Sequence, residues 1–307
     1  MSRKPIIHIE KKGLATSFQD KGRFGYQRYG VVTSGAMDSF AFQSANALVG
    51  NPLHAVCLEF CVVGPTLTFL DSVTFAICGA NLSPTLNSSP IQGWRTYTAK
   101  IGDVLRFGKQ LQGNFAYLAI RGSFDIEDVL GSKSTYQKAG IGTMVNSDTT
   151  YYSTNPSLTN RNRGLIQEEI PDYSQEINVR YIRGPHLDYL QEEAAFIFEK
   201  QAYTYTLGDR MGYRLHGETA IHSEQRSLSS DPIPLGGIQI PPDGHPIVLL
   251  ADRQTTGGYP RIGTVISCDI PKFVQLPLQG KVSFQPITIE NAQMLNRRYF
   301  FPYKSPQ

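Results

Sequence analysis

Residues 236–265 read GGIQIPPDGHPIVLLADRQTTGGYPRIGTV. The apolar run at 247–251 is bounded by a Pro-Pro-Asp-Gly turn on one side and by polar residues on the other. Such a short, β-branched and leucine-rich run between turn signals predicts a buried strand. Asp252-Arg253-Gln254 follows at once, and then Thr-Thr-Gly-Gly-Tyr-Pro. A strand that ends in charged and amide side chains and then a glycine pair is how a rigid element presents chemistry on a loop. Further strands are expected at 238–240 and 264–267, so the stretch predicts β structure on both sides of its polar centre.

Outward from this stretch the same pattern recurs. Toward the N-terminus, runs at 6–9, 56–60, 66–70, 73–78, 104–107 and 115–120 predict strands, as do 179–182, 203–206 and 281–284 in the second half. Gly, Pro, Asn and Asp punctuate them, which argues for sandwiches or barrels and against a parallel α/β sheet. Three helices are expected among them. The first covers 36–49, stopped by Gly50-Asn51-Pro52, with Asp38 in its first turn. The second covers 187–198, opened by Pro185. The third covers 290–299, with Thr288 as cap. Residues 13–30 read as an ordered, glycine-rich loop. The connection between halves is expected within 154–171, which gives domains at 1–160 and 161–307. Arg23-Phe24-Gly25-Tyr26 echoes Arg210-Met211-Gly212-Tyr213, each preceded by an aspartate, and suggests two related β-rich domains in tandem.

Bulk composition narrows the function. The chain has 307 residues, 40% hydrophobic and 18% charged, which suits a folded protein with a large core. A net charge of +3 with no basic run gives no case for nucleic acid. Cys57, Cys61, Cys78 and Cys268 form no C-x-x-C pair and have no histidine at metal spacing, so reduced, buried cysteines in a cytoplasmic protein are expected. No N-terminal apolar core fits a signal peptide, and no run approaches the ~18 apolar residues of a membrane span.

The chemistry is concentrated in two loops. Arg253 offers a planar fork for carboxylate or phosphate, and Gln254 both a donor and an acceptor suited to an amide or ureide. Asp252 can orient the arginine or act as a base. Thr255 to Gly258 can supply hydroxyls and backbone N–H groups to an oxyanion. The competing reading pairs Asp252 with Arg253 and leaves the glycines to make a turn. The first loop offers Thr16, Ser17, Gln19, Asp20, Arg23, Tyr26 and Gln27, where Asp20 and Arg23 can instead clamp the loop. Ser34 lacks a nucleophile elbow and a neighbouring histidine. The histidines show no metal spacing, and there is no P-loop and no G-x-G-x-x-G.

Four segments carry a resemblance to a known family: TSFQDKGRFGYQRYGVVTSGAMDSFAFQSANALVGNP at 16–52, GSKSTY at 131–136, DRMGYRLHG at 209–217, and the opening stretch. In that order they resemble the biotin-dependent carboxyltransferase family, also called allophanate hydrolase subunit 2, whose stand-alone members include the C-type subunit of 5-oxoprolinase. The resemblance implies a mainly β fold of two tandem cyclophilin-like β-barrel domains. After GSKSTY the chain reads QKAGIGTMVNSDTTYY and departs from the family pattern over 137–152. One family activity moves a carboxyl group from carboxybiotin to urea. Another opens 5-oxoproline to glutamate with ATP.

The chain has no Ala-Met-Lys-Met biotin signature and no room for an ATP-grasp domain, so biotin is not expected on this chain. The expected function is therefore a subunit of a 5-oxoprolinase complex. Its partners would be a second small cyclophilin-like subunit (B-like) and a LamB/YcsF-like subunit (A-like). Its substrate would be a small cyclic amide, with ATP bound by this chain or shared with a partner. Urea carboxylation and non-catalytic binding of a kinase-inhibitor-like partner are the alternatives. The site residues expected are Asp252, Arg253 and Gln254 for catalysis. Gln19, Arg23, Tyr26, Ser34, Asp38, Arg210, Gln239, Thr256, Gly257, Gly258 and Tyr259 are expected for substrate binding, as two walls of one cleft.

Overall fold

A computed structural model describes residues 3–159, 162–223 and 228–300. The chain forms two compact units, Met1–Phe24 with Ser34–Tyr173 and Gly25–Thr33 with Ser174–Gln307. Positions 160 and 161, where the domain boundary is expected, lie outside the described residues. The fold is mainly β.

In the first unit a six-stranded sheet runs in the order Thr149–Ser153, Lys4–Lys11, Thr66–Phe69, Val104–Arg106, Thr85–Leu86, Ser89–Pro90. A five-stranded sheet runs in the order Ala15–Gln19, Cys57–Cys61, Gln112–Ile120, Val73–Asn81, Arg95–Ala99. One core takes Ile7, Ile9, Leu67 and Phe69 from the first sheet and Phe18, Leu58, Phe60, Phe75 and Leu118 from the second. Each such side chain contributes about 1.5–3 kcal/mol on full burial. Helix Ser39–Val49 covers the other face of the five-stranded sheet. It begins three residues later than the periodicity predicts, because Asp38 is its cap and accepts from the Ala41 N–H at 2.9 Å. Gly50 ends it in the left-handed region at φ 76°, as the Gly-Asn-Pro signal predicts.

Residues 15–19, expected in a loop, are instead an edge strand buried at four of five positions. Thr16, Ser17 and Gln19 hide their polarity there by hydrogen bonding, so the strand shows none of the alternation that marks a half-buried one.

The second unit closes its sheet. Strands Glu176–Arg183, Arg261–Val265, Gly237–Gln239, Ile247–Leu249, Gly212–His216, Tyr203–Asp209 and Lys281–Pro286 form a barrel, sealed by a parallel pairing of the first with the last. Aromatics fill it: Phe198 stacks on Phe284 at 4.5 Å and Tyr205 on Tyr213 at 4.1 Å. Only a glycine fits at 263, since a Cβ there would sit 2.3 Å from the Tyr181 ring. The expected helix over 187–198 breaks in two, into a 3-10 turn at Leu187–Tyr189 and an α-helix at Ala194–Lys200. The Gln191 N–H leaves the helical path and donates to His222 O at 3.1 Å, which sets Leu190 opposite Ser223 in an isolated β-bridge. The closing helix, Ile289–Phe300, is capped as expected, with the Asn291 N–H donating to Thr288 Oγ1 at 3.3 Å.

The two halves of the sequence echo fold differently. Arg210 to Tyr213 turns a β-hairpin, whereas Tyr26 caps a 3-10 turn, Gln27–Tyr29.

Candidate functional site

Each unit carries a polar cluster next to a strand. In the first, strand Ala15–Gln19 delivers Gln19 and Asp20 against the GSKSTY segment, fastened by the Thr135 N–H donating to Phe18 O at 2.8 Å. Asp20 is 7% exposed. Its carboxylate accepts from Ser134 Oγ at 2.6 Å, Ser132 Oγ at 2.7 Å, the Lys133 N–H at 2.7 Å and the Gly22 N–H at 2.8 Å. Burial alone would raise its pKa. The bonds from Ser134, Ser132, Lys133 and Gly22 outweigh burial and hold the carboxyl below its ordinary value.

Gln19 donates to Ser17 Oγ and Thr135 O, both at 2.9 Å, and accepts from the Gly35 N–H at 3.2 Å. Arg23 is fully buried and donates to Val129 O at 2.9 Å and Ser134 O at 2.8 Å. These groups brace residues 129–135 against the strand.

Asp38 caps its helix and accepts from Tyr173 OH at 3.0 Å, while its N–H donates to Tyr117 OH at 2.7 Å. Tyr117 in turn donates to Glu59, its cross-strand partner, at 2.7 Å. Burial, then the negative charges of Glu59 and Asp38, push the Tyr117 hydroxyl well above its ordinary pKa, so it stays a donor. Ser34 sits at φ 54°, and its buried hydroxyl has no partner among the described residues.

In the second unit the polar triplet divides. Asp252 turns away from Arg253 and takes a two-pronged bond from Arg210, Nε to Oδ2 at 2.8 Å and Nη2 to Oδ1 at 3.0 Å. The Asp252 N–H donates to Arg210 O at 2.8 Å, so the hairpin turn and the triplet are locked together. Arg253 is 8% exposed. Among the described residues it donates to two carbonyls, Ile233 O at 2.9 Å and Leu250 O at 3.3 Å. Burial lowers its pKa to about 10, which still leaves it charged at neutral pH, and no carboxylate among the described residues offsets that cost.

In the same loop region the amides of Gln239 and Gln254 converge on Gly257. A Cβ on that glycine would lie 2.7 Å from Gln254 Nε2 and 2.8 Å from Gln239 Nε2. Gln239 is buried. Thr256 and Gly257 pair with Pro232 and Asp231 in a small two-stranded sheet. Gly258 and Tyr259 are exposed, and Tyr26 is half-buried beside its turn. Among the described residues Arg253 is thus a buried cation without a carboxylate partner.

Among the described residues no group of three His, Cys, Asp or Glu is placed to hold a metal, and no helix is long and apolar enough to cross a membrane. All four cysteines are free, and Cys61 is half-buried where the others are buried.

A family model described as carboxyltransferase domain, subdomain A and B, matches residues 29–286. The chain belongs to this carboxyltransferase family. It is 30% identical over 294 residues to the 5-oxoprolinase C subunit of Haemophilus influenzae, covering 94% of both chains. It is 31% identical over 300 residues to the 5-oxoprolinase C subunit of Escherichia coli, covering 96% of both. The crystal structure of the K. lactis urea amidolyase superposes with a TM-score of 0.89 at 28% identity over 97% of this chain, which spans 20% of that much longer enzyme. Both kinds of relative thus share one carboxyltransferase scaffold with this chain.

Sequence reasoning missed Ser132, Ser134, Glu59, Tyr117 and the Ile233 carbonyl. GSKSTY was the one available signal, since two serines in a short conspicuous motif suit a buried carboxylate. Nothing local marks a backbone carbonyl as the partner of Arg253.

Proposed function

We propose that this carboxyltransferase-family chain is the C-type subunit of a 5-oxoprolinase complex, which opens 5-oxoproline to L-glutamate at the expense of ATP. Its partners in this reading are a B-like cyclophilin-fold subunit and an A-like LamB/YcsF-type subunit, and ATP is bound by this chain or by one of them. The observation that carries the proposal is Arg253, buried, charged and without a counter-ion among the described residues, in the same loop region where the Gln239 and Gln254 amides converge on Gly257. Opening a cyclic amide requires the ring to be held while negative charge on its oxygen is stabilised, and a desolvated guanidinium does that far better than a solvated one. The full-length similarity to two 5-oxoprolinase C subunits supports the reading.

The test is ATP hydrolysis by the reconstituted three-subunit complex with and without 5-oxoproline. Arg253→Gln is expected to lower oxoproline-dependent turnover by roughly 10²–10³-fold, the cost of losing one oxyanion donor. No stimulation by 5-oxoproline would sink the proposal.

A second reading, carboxyl transfer from a biotin carrier to urea or a similar amide, is favoured by the superposition on the urea amidolyase. It predicts urea carboxylation with a carboxylated biotin carrier and no response to 5-oxoproline.

A further inference from the structure

Arg253 depends on a short strand that it does not belong to. Its Nε donates to Ile233 O, and the Ile233 N–H donates to Thr255 O at 3.0 Å. Just before Ile233, Asp231 and Pro232 pair with Gly257 and Thr256. Two register pairs are too few to hold a strand in water on their own. What fastens this one is Arg261, which donates from Nη1 to Pro232 O at 2.9 Å and from Nη2 to Asp231 Oδ2 at 3.2 Å. Arg261 also lies directly opposite Gln239 across the barrel strands.

Arg261 is in turn seated by His186. The Arg261 N–H donates to His186 Nδ1 at 3.2 Å. That bond requires Nδ1 to be unprotonated and places the ring proton on Nε2, which faces Asp231 Oδ2 at 3.9 Å. The Tyr189 ring lies edge-on to the imidazole at 5.8 Å. Among the described residues the charged groups acting on the imidazole are the Arg261 guanidinium and the Asp231 carboxylate. A second ring proton would point an N–H at an N–H and break the seat of Arg261. With Nδ1 occupied by a donor, His186 has no open nitrogen with which to act as a base.

We propose that His186 is a positioning residue, and that its neutral imidazole, acting through Arg261 and the Asp231–Pro232 strand, sets the carbonyl that holds Arg253. The inference rests on the reading of Arg253 as the charge-stabilising group. Burial, then the charge of Arg261, lowers the His186 pKa against the opposing pull of Asp231. The sign is consistent with the geometry. The folded state prefers the neutral ring, so this contribution is complete above the ordinary histidine range and fades as pH falls through and below it.

The test is backbone hydrogen exchange by mass spectrometry on the full-length chain, corrected for intrinsic rates, at several pH values between 8 and 5. The expected result is strong protection of 231–233 and 255–257 at the alkaline end. Once His186 protonates, that protection falls by up to about tenfold per pH unit. His186→Asn keeps an acceptor for the Arg261 N–H and has no proton to gain, so its protection should not follow pH. Protection in the wild-type chain that is independent of pH overturns the inference, and so does the same acid loss in His186→Asn. Because exchange is read without substrate, a failed oxoprolinase assay leaves this result standing. An active complex with a pH-insensitive clamp overturns the inference alone.

Discussion

Asp20 and Asp252 occupy comparable places, buried carboxylates one and three residues beyond a strand, yet they are held in opposite ways. Asp20 is held by neutral donors, two serine hydroxyls and two backbone N–H groups. Asp252 is held by one charge, the two-pronged Arg210 guanidinium, with both side chains largely out of water. A carboxylate held by several dipoles loses a fraction of its support when any one is removed. A carboxylate held by a single buried cation loses nearly everything. The first arrangement distributes its dependence and the second concentrates it.

The sharpest way to break this comparison is Arg210→Ala. It should destabilise the second unit by about 3–5 kcal/mol, because it strands a buried charge. Exchange protection of strand Gly212–His216 is the measure. Replacing both partners by leucine should recover much of that loss, and a double variant no better than Arg210→Ala would contradict the account.

Asp20→Asn comes next, at about 2–3 kcal/mol, because an amide N–H₂ must then face one of the donors the carboxylate satisfied. Trp94, the single tryptophan, is buried in the first unit, so its fluorescence during urea unfolding reads this change. Ser134→Ala should cost about 1–2 kcal/mol and Ser132→Ala about 1 kcal/mol by the same measure, with neither alone abolishing the fold. A Ser134→Ala loss as large as that of Asp20→Asn would show that the dependence is not distributed.

The smallest effect is one of pH. Asp20 has a depressed folded-state pKa, so its stabilisation is present above the unfolded value of about 3.9 and is lost as pH falls through the folded value. The Trp94 unfolding midpoint should therefore decline in acid less steeply in Asp20→Asn than in the wild-type chain.

The two regions were unequally legible in the sequence. The 236–265 stretch revealed its strands because apolar runs alternate there with turn residues, and the structure places strands at Gly237–Gln239, Ile247–Leu249 and Arg261–Val265. The strand at 15–19 was hidden because three of its four buried positions are polar, and one of the partners that satisfies Gln19, the Thr135 carbonyl, lies more than a hundred residues away. The split of Asp252 from Arg253 was hidden for a related reason. Adjacent opposite charges invite pairing on paper, but successive residues leave the chain in different directions, and the hairpin at Arg210 supplies a better-placed partner. The helical stripe over 187–198 is continuous only at its end, because the Gln191 N–H donates to His222 O beside the Leu190–Ser223 bridge instead of continuing the helix.

The seam of the barrel has a mechanical consequence. Its first and last strands run parallel through six matched pairs, from Glu176 with Lys281 to Tyr181 with Pro286. A force entering before Glu176 and leaving after Pro286 pulls those strands past each other and does not peel them apart. Every rung of the seam then bears load together, and none can open before its neighbours. The same pairing separates the entry at Glu176 from the exit at Pro286, which lies level with Tyr181, by five residue steps along the strands, or ~17 Å at ~3.3 Å per residue. A permuted version with a short linker between the two would have to tear its own seam to close.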